Sequence, residues 1–215
     1  LVKLLLEPAF GVASDAKGRK MFLILREAVA IGALLLLLFA RSWEYFFISM
    51  MLVGVSNSLV SVWSTLVAEF APKDRLGFVY SVMGACYTAG GLVGTLAAGY
   101  VADAFGYGAV YTVATVVAFT GLALVWLKLP ETRTEPPTKV EWRKTLTSYM
   151  HALNPPKELR GFYVAMALDL LAFSMGMRLL SGILNGGYGY TPWMISLYTT
   201  ALTLTQAGSQ IPLGR

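Results

Sequence analysis

Polar positions in this chain fall in clusters, and the apolar stretches between them are too long to be stripes on a surface helix. Bounded by charges and Pro/Gly signals, these stretches are a tail ending near Phe10, then Met21–Ala40, Tyr45–Ala68, Gly77–Ala102, Ala109–Leu127, Phe162–Leu184 and Trp193–Leu213. The six complete runs hold roughly 19 to 26 residues, enough for a helix to cross a hydrocarbon core about 30 Å thick. The pattern therefore predicts six transmembrane helices and part of a seventh, an all-α integral membrane bundle. Composition agrees, since 56% of the 215 residues are apolar or aromatic, 13% are charged, and mean hydropathy is +0.62. A soluble domain carries about 25% charge. A water-soluble globule and a disordered chain are both excluded.

The basic residues set an orientation. With the Gly11–Lys20 hairpin in the cytoplasm, that side collects Lys17, Arg19, Lys20 and Arg26, then Lys73 and Arg75, then seven between Lys128 and Arg160, then Arg215, fourteen of the 17. Arg41 alone falls in an outer loop, and Lys3 and Arg178 lie within spans. This asymmetry follows the positive-inside rule and predicts a multi-pass protein of the cell membrane. It also makes the net charge of +5 a topology signal, with no nucleic-acid partner expected. One connection, residues 130–160, is long and polar and predicts a cytoplasmic linker between two membrane halves (1–129 and 161–215). Inside it, Trp142, Leu146, Tyr149 and Leu153 share one helical face, which suits either the headgroup boundary or a solvated tether. A chain that opens at Leu1 within an apolar run and closes at Arg215 is expected to be the middle of a longer protein.

Catalytic chemistry finds little purchase here. Cys86 and His151 are the only residues of their types, so neither a disulfide framework nor a thiolate or imidazole metal cluster is predicted. Phosphate-binding loops, H-E-x-x-H and G-x-S-x-G are missing from the sequence. No cofactor, no metal and no enzymatic activity are expected.

The most informative segment is Gly11-Val-Ala-Ser-Asp15-Ala-Lys-Gly18-Arg19-Lys20. Gly11 permits close backbone approach where one helix ends, and Gly18 supplies the unusual φ of a tight turn. Asp15 precedes the next helix, where the dipole favours a carboxylate, and it can pair with Arg19 or with a neighbouring helix. A charged, turn-forming latch results. The pattern resembles the G-x-x-x-D-[RK]-x-G-[RK]-[RK] loop between the second and third helices of the major facilitator superfamily, with Ala16 departing at a usually basic position. Glu69-Phe-Ala-Pro72-Lys-Asp-Arg75-Leu-Gly77 resembles that family's connection after its fourth helix, and Leu129-Pro130-Glu131 its exit from the sixth. Gln210-Ile-Pro212-Leu-Gly214-Arg215 resembles the run into a second copy of the loop. The resemblance implies a fragment of a twelve-helix, two-half transporter, from the end of helix 2 through helix 8, whose partners are its remaining helices and the lipid bilayer.

Polarity within the spans points to the pathway. Met21–Ala40 and Ala109–Leu127 carry almost nothing polar and are expected to face lipid. Tyr45–Ala68 carries Ser49, Ser56, Asn57, Ser58, Ser61 and Ser64, and Phe162–Leu184 carries Asp169, Ser174, Arg178 and Ser181. Polar groups in hydrocarbon need partners or water, so these two spans are expected to face the interior. Asp169 lies about 12 Å from Gly161 along its helix, where a carboxylate costs on the order of 2.5–3.5 kcal/mol. It reads either as a proton-coupling or Na+-binding group or as a structural cap. Arg178 lies half a turn away around the helix, suited to snorkelling at the outer interface or to an anionic solute. Asn57, Ser61 and Ser64 share a face that can hydrogen-bond a polar solute or a neighbouring helix. Lys3 and Glu7, at i and i+4, suggest an ion pair near the cytoplasmic end.

Gly90-x-x-x-Gly94 has the spacing for close helix crossing. With Ser81, Ala98 and Gly99 it resembles the glycine pattern of superfamily exporters, departing at Thr95 and Ala98. Met50 stands where drug–proton antiporters of that family carry arginine. The resemblance implies transport of a small-molecule solute by alternating access, coupled to a proton or Na+, with export as one direction. The alternative is a non-transporting membrane sensor or assembly protein of the same fold.

Overall fold

A computed structural model describes residues 2–131, 147, 156–177 and 179–213, with the side chains of all these except residues 4, 5, 176, 177 and 206–213. The order of elements is α1 (Val2–Lys17), α2 (Arg19–Leu38), α3 (Trp43–Ser58), α4 (Val60–Phe70), a 3-10 turn (Lys73–Arg75), α5 (Leu76–Phe105), α6 (Tyr107–Lys128), α7 (Lys157–Met177), α8 (Leu180–Tyr188) and α9 (Pro192–Leu213). No strand occurs among the described residues. Five stretches are long and apolar enough to cross a membrane: Arg19–Leu38, Trp43–Phe70, Lys73–Phe105, Tyr107–Lys128 and Lys157–Tyr188. The sixth predicted run forms α9 but is not among the five. Its threonines, Gln206 and Gln210 dilute its hydropathy.

Two boundaries differ from the hydropathy pattern. The tail expected to end near Phe10 continues as helix through Lys17, and Asp15 lies in its last turn rather than in a loop. A single glycine is tolerated inside a helix at about 1 kcal/mol, and the Ser14 hydroxyl donates back to the Gly11 carbonyl at 2.7 Å. The chain turns only at Gly18, where φ is 101° and ψ is 145°, a conformation open to glycine and little else. The predicted span Tyr45–Ala68 is also divided. At Leu59 the bonding tightens to i→i+3, with Leu59 N–H on the Ser56 carbonyl (3.1 Å) and Val62 N–H on the Leu59 carbonyl (3.2 Å). The Ser58 hydroxyl donates to the Val55 carbonyl at 2.5 Å. Serine hydroxyls that compete for backbone carbonyls explain a break at Ser56-Asn57-Ser58.

The described residues form two compact units. In the first (residues 1–83 with 108–149), α1 and α4 pack against α2, and α1 and α2 pack against α3. Its core joins Ala13, Phe22, Leu23, Leu59, Val62, Leu66 and Val125, with Phe10 edge-on to Phe22 at 6.3 Å. A Cβ at Gly54 would lie 3.0 Å from Cβ of Val2, so glycine sets the approach of α1 to α3. Ser49 and Ser56 donate to the carbonyls of Ala33 (2.9 Å) and Arg26 (3.3 Å) on α2. These serines join helices instead of facing a pathway, and α2, expected against lipid, buries Phe22, Leu23, Ile31 and Ala33.

The second unit holds residues 84–107 and 150–215. There α8 packs against α7 and α9. On α5, Gly99 is buried against α9, where a Cβ would strike the Ser196 side chain and lie 3.1 Å from the Pro192 carbonyl oxygen. Tyr100 meets Trp193 edge-on at 6.2 Å beside it. Among the described residues nothing lies within 4 Å of a Cβ built at Gly90 or Gly94. The close crossing expected at those two glycines occurs at Gly99, because the helix that packs on α5 in this unit meets it there.

Candidate functional site

The corner between α1 and α2 collects the charged residues that the sequence scatters. Its centre is Arg19, at the first position of α2, with a side chain only 12% exposed. One guanidinium nitrogen donates to Oδ1 of Asp15 at 2.9 Å. The other donates to the Thr65 carbonyl at 3.3 Å and pairs with Glu69 near the end of α4. Arg19 N–H, one of the orphan donors at a helix start, is accepted by Oε1 of Glu131 at 3.1 Å. The same carboxylate lies over Gly18, where a Cβ would come within 2.8 Å of Glu131 Oε2. One residue thus ties together the end of α1, the end of α4 and the segment after α6, through charge-assisted hydrogen bonds.

The other members of the segment divide sharply. Gly18 has the positive φ expected of it. Gly11 mediates no close approach among the described residues, none of which lies within 4 Å of a Cβ placed there. Lys20 forms no ion pair among the described residues.

The pathway candidates sit apart. Asn57 is exposed at the end of α3, while Ser61 and Ser64 are half-buried on α4, beyond the break at Leu59. The Ser61 hydroxyl is buried without a hydrogen-bond partner among the described residues, and the Ser64 carbonyl accepts the Tyr80 hydroxyl at 2.8 Å. Asp169 is exposed on α7, with no ion pair among the described residues. Arg178 and the linker residues Trp142, Leu146, Tyr149 and Leu153 lie outside the described residues. A groove of about 330 Å³ opens between α7, α8 and α9, walled by Phe173, Leu184, Ile195 and Leu202 with Ser181 and Thr199 as its small polar groups. Thr199 and Thr203 satisfy their hydroxyls on carbonyls of their own helix, at 2.9 Å each.

The family model of the Major Facilitator Superfamily matches residues 1–215. The chain belongs to this superfamily. Its relatives include proteins named Multidrug resistance protein MdtG. The one from Escherichia fergusonii is 27% identical over 169 residues, covering 78% of this chain and 41% of the relative. That from Dickeya zeae is 31% identical over 131 residues, covering 60% and 31%. That from Escherichia coli O9:H4 is 25% identical over 220 residues, covering 95% and 53%. The chain spans about half the length of these relatives, or less. Membership in the superfamily agrees with the five apolar helices, and the chain is a segment of a multi-pass membrane protein.

Sequence reasoning identified Gly18, Asp15 and Arg19 as neighbours but did not connect them to Thr65, Glu69 or Glu131. Glu69 and Glu131 each belong to a superfamily-like connection in the sequence. Three separate motifs, each with a charge beside a turn, were the available signal that they meet at one corner.

Proposed function

We propose that this chain is part of a secondary transporter of the cell membrane that moves a small solute by alternating access, coupled to a proton or Na+. The observation that carries the proposal is the fourfold engagement of Arg19 with Asp15, Thr65, Glu69 and Glu131. A charge shared among three segments at one membrane face is either made or broken, and breaking it requires those segments to separate together. That is the behaviour of a two-state element whose populations a bound solute can shift. The corner would be cytoplasmic, as the basic residues suggest, and residues 130–160 would link two halves of the transporter.

Asp169, Asn57, Ser61 and Ser64 are assigned to the solute or ion pathway, with Arg178 at its outer end. Support comes from their depth in apolar helices and from the unpartnered Ser61 hydroxyl, which a polar solute or water would satisfy. Gly99, packed on Ser196, belongs to a contact whose small residues permit sliding. Export is the favoured direction, because the relatives bear the name multidrug resistance protein and α5 carries the exporter-like glycines.

The test uses the full-length protein in sealed vesicles, with ethidium and tetraphenylphosphonium as probes under an imposed pH or Na+ gradient. Gradient-driven movement of either probe, lost in Asp169→Asn and strongly reduced in Arg19→Ala, is the expected result. If neither probe moves under either gradient, transport is rejected in favour of a sensing or assembly role.

A further inference from the structure

The continuation of α1 to Lys17 changes the place of its two innermost charges. Glu7 stands eleven residues before Gly18 and therefore about 16 Å along the helix from the corner, with Lys3 about 22 Å away. In a core about 30 Å thick, Glu7 at that depth is near the middle and Lys3 lies beyond it, neither at the cytoplasmic edge. Lys3 Nζ and Glu7 Oε2 are 3.9 Å apart, the outer limit of an ion pair, and their side chains are 54% and 36% exposed. Pro8, inside the helix, has no N–H to give the carbonyl four residues earlier, so a backbone oxygen on this turn lacks its usual donor. One turn on, Gly11 faces open space. The next residue on the same i+4 row is Asp15, at the corner and bonded to Arg19. α1 packs through Ala13, on the side away from Gly11, and through Phe10, about a quarter turn round from it, while the buried Ser14 borders the row.

On the helices packed against α1, Lys20 of α2 stands beside the corner with no ion pair among the described residues, and the other charges are engaged elsewhere or distant. Arg26 and Glu27 of α2 bind each other, Glu69 of α4 binds Arg19, and Glu44 stands in the first turn of α3. Ionisable side chains at this depth face protein or water, not lipid. We propose that the row Lys3, Glu7, Gly11 and Asp15 lines a water-filled crevice entered at the α1–α2 corner, and that Glu7 binds a monovalent cation at its deep end. A cation entering there passes the Asp15 carboxylate and the gap beside Gly11, then meets a carboxylate only loosely held by Lys3. The inference extends the transport proposal above. Its test reads chemical labelling, not solute flux, so either can fail without the other.

In the full-length protein with Cys86→Ser, a G11C variant in sealed vesicles is treated with membrane-impermeant methanethiosulfonates, one cationic and one anionic. The crevice predicts modification by both, about tenfold faster for the cationic reagent, because the Glu7 carboxylate, one turn from Gly11, outweighs the more distant Lys3 in the local field. In the G11C/E7Q double variant that preference disappears. Addition of Na+ or of tetraphenylphosphonium slows the cationic reagent in G11C. Protection by Na+ identifies an inorganic coupling ion, and protection by tetraphenylphosphonium identifies a cationic solute. Failure of either reagent to modify G11C overturns the crevice, equal rates overturn its charge preference, and preference without protection by either ion overturns the Glu7 site. If G11C does not fold, K3C in the same background reads the crevice from its inner end.

Discussion

The two ends of α1 carry the same charge arithmetic with different outcomes. Asp15 and Arg19, four residues apart, are 2.9 Å from each other, and Lys3 and Glu7, also four apart, are 3.9 Å from each other. On one continuous helix that spacing is worth about 0.2–0.5 kcal/mol, which holds for Lys3 and Glu7 but not for Asp15 and Arg19, which stand on either side of the Gly18 turn. What separates the pairs is their surroundings. Arg19 is taken up from other directions by Thr65, Glu69 and, at its amide, Glu131, so its side chain is nearly enclosed. Among the described residues Lys3 and Glu7 form an ion pair only with each other, on a more open face. The first pair is a junction between segments, whereas the second is a weakly closed site that another cation can enter.

The largest effect that can break this contrast is expected from Arg19→Ala. Hydrogen bonds to charged groups contribute about 1.5–3 kcal/mol each when a partner is removed, which is on the order of ten- to hundredfold in any equilibrium that depends on one of them. Gradient-driven probe movement in vesicles should fall by that factor, with the apparent thermal midpoint also lowered. Normal transport in Arg19→Ala would make the corner a passive junction and erase the distinction from Lys3–Glu7.

Next in size is Gly18→Ala. A non-glycine residue at φ 101° costs roughly 1–3 kcal/mol. The added Cβ would also press on the Glu131 carboxylate, 2.8 Å away, and push it from the Arg19 amide. Thermal unfolding of the purified variant should show a drop of that order, and a wild-type midpoint would mean that the corner is not held in this conformation.

Hydropathy sufficed to place the apolar helices, though not all their ends, and the short spacing of the loop motif offered Arg19 as one of two partners for Asp15. It did not reveal that Glu131, 112 residues from Arg19, caps the same corner. Nor did it mark the true end of α1: the tight turn was expected at Gly18, but nothing local shows that the helix continues through Gly11 to reach it. Ser49 and Ser56 show the same limit. Seven residues apart, they declare a polar face but not its neighbour, and here the neighbour is the carbonyl ladder of α2 instead of a solute. The glycines of α5 were ambiguous for a related reason, since only the position of Ser196 distinguishes Gly99 from Gly90 and Gly94.

A smaller effect calibrates the corner against an ordinary interhelical bond. Ser49, fully buried, makes one hydrogen bond from α3 to α2. Bonds of this kind between membrane helices contribute about 0.6 kcal/mol on average. Ser49→Ala should therefore lower the thermal midpoint slightly and leave probe movement intact. A loss as large as that of Arg19→Ala would place the critical contact along the α2–α3 seam and not at the corner.

The smallest change is expected from Gly11→Ala, the counterpart of Gly18→Ala within the same segment. Gly11 lies inside α1 with helical backbone, its Cβ direction is empty, and the Ser14 hydroxyl already holds its carbonyl. Alanine there adds no contact and removes backbone freedom from the unfolded chain, so stability should rise by roughly 0.5 kcal/mol. Paired thermal unfolding of the two variants then gives opposite signs from one chemical change made seven residues apart. If both glycines prove equally intolerant of alanine, Gly11 is approached by a neighbour in the complete transporter, and the open face of α1 is a helix contact instead of the wall of a crevice.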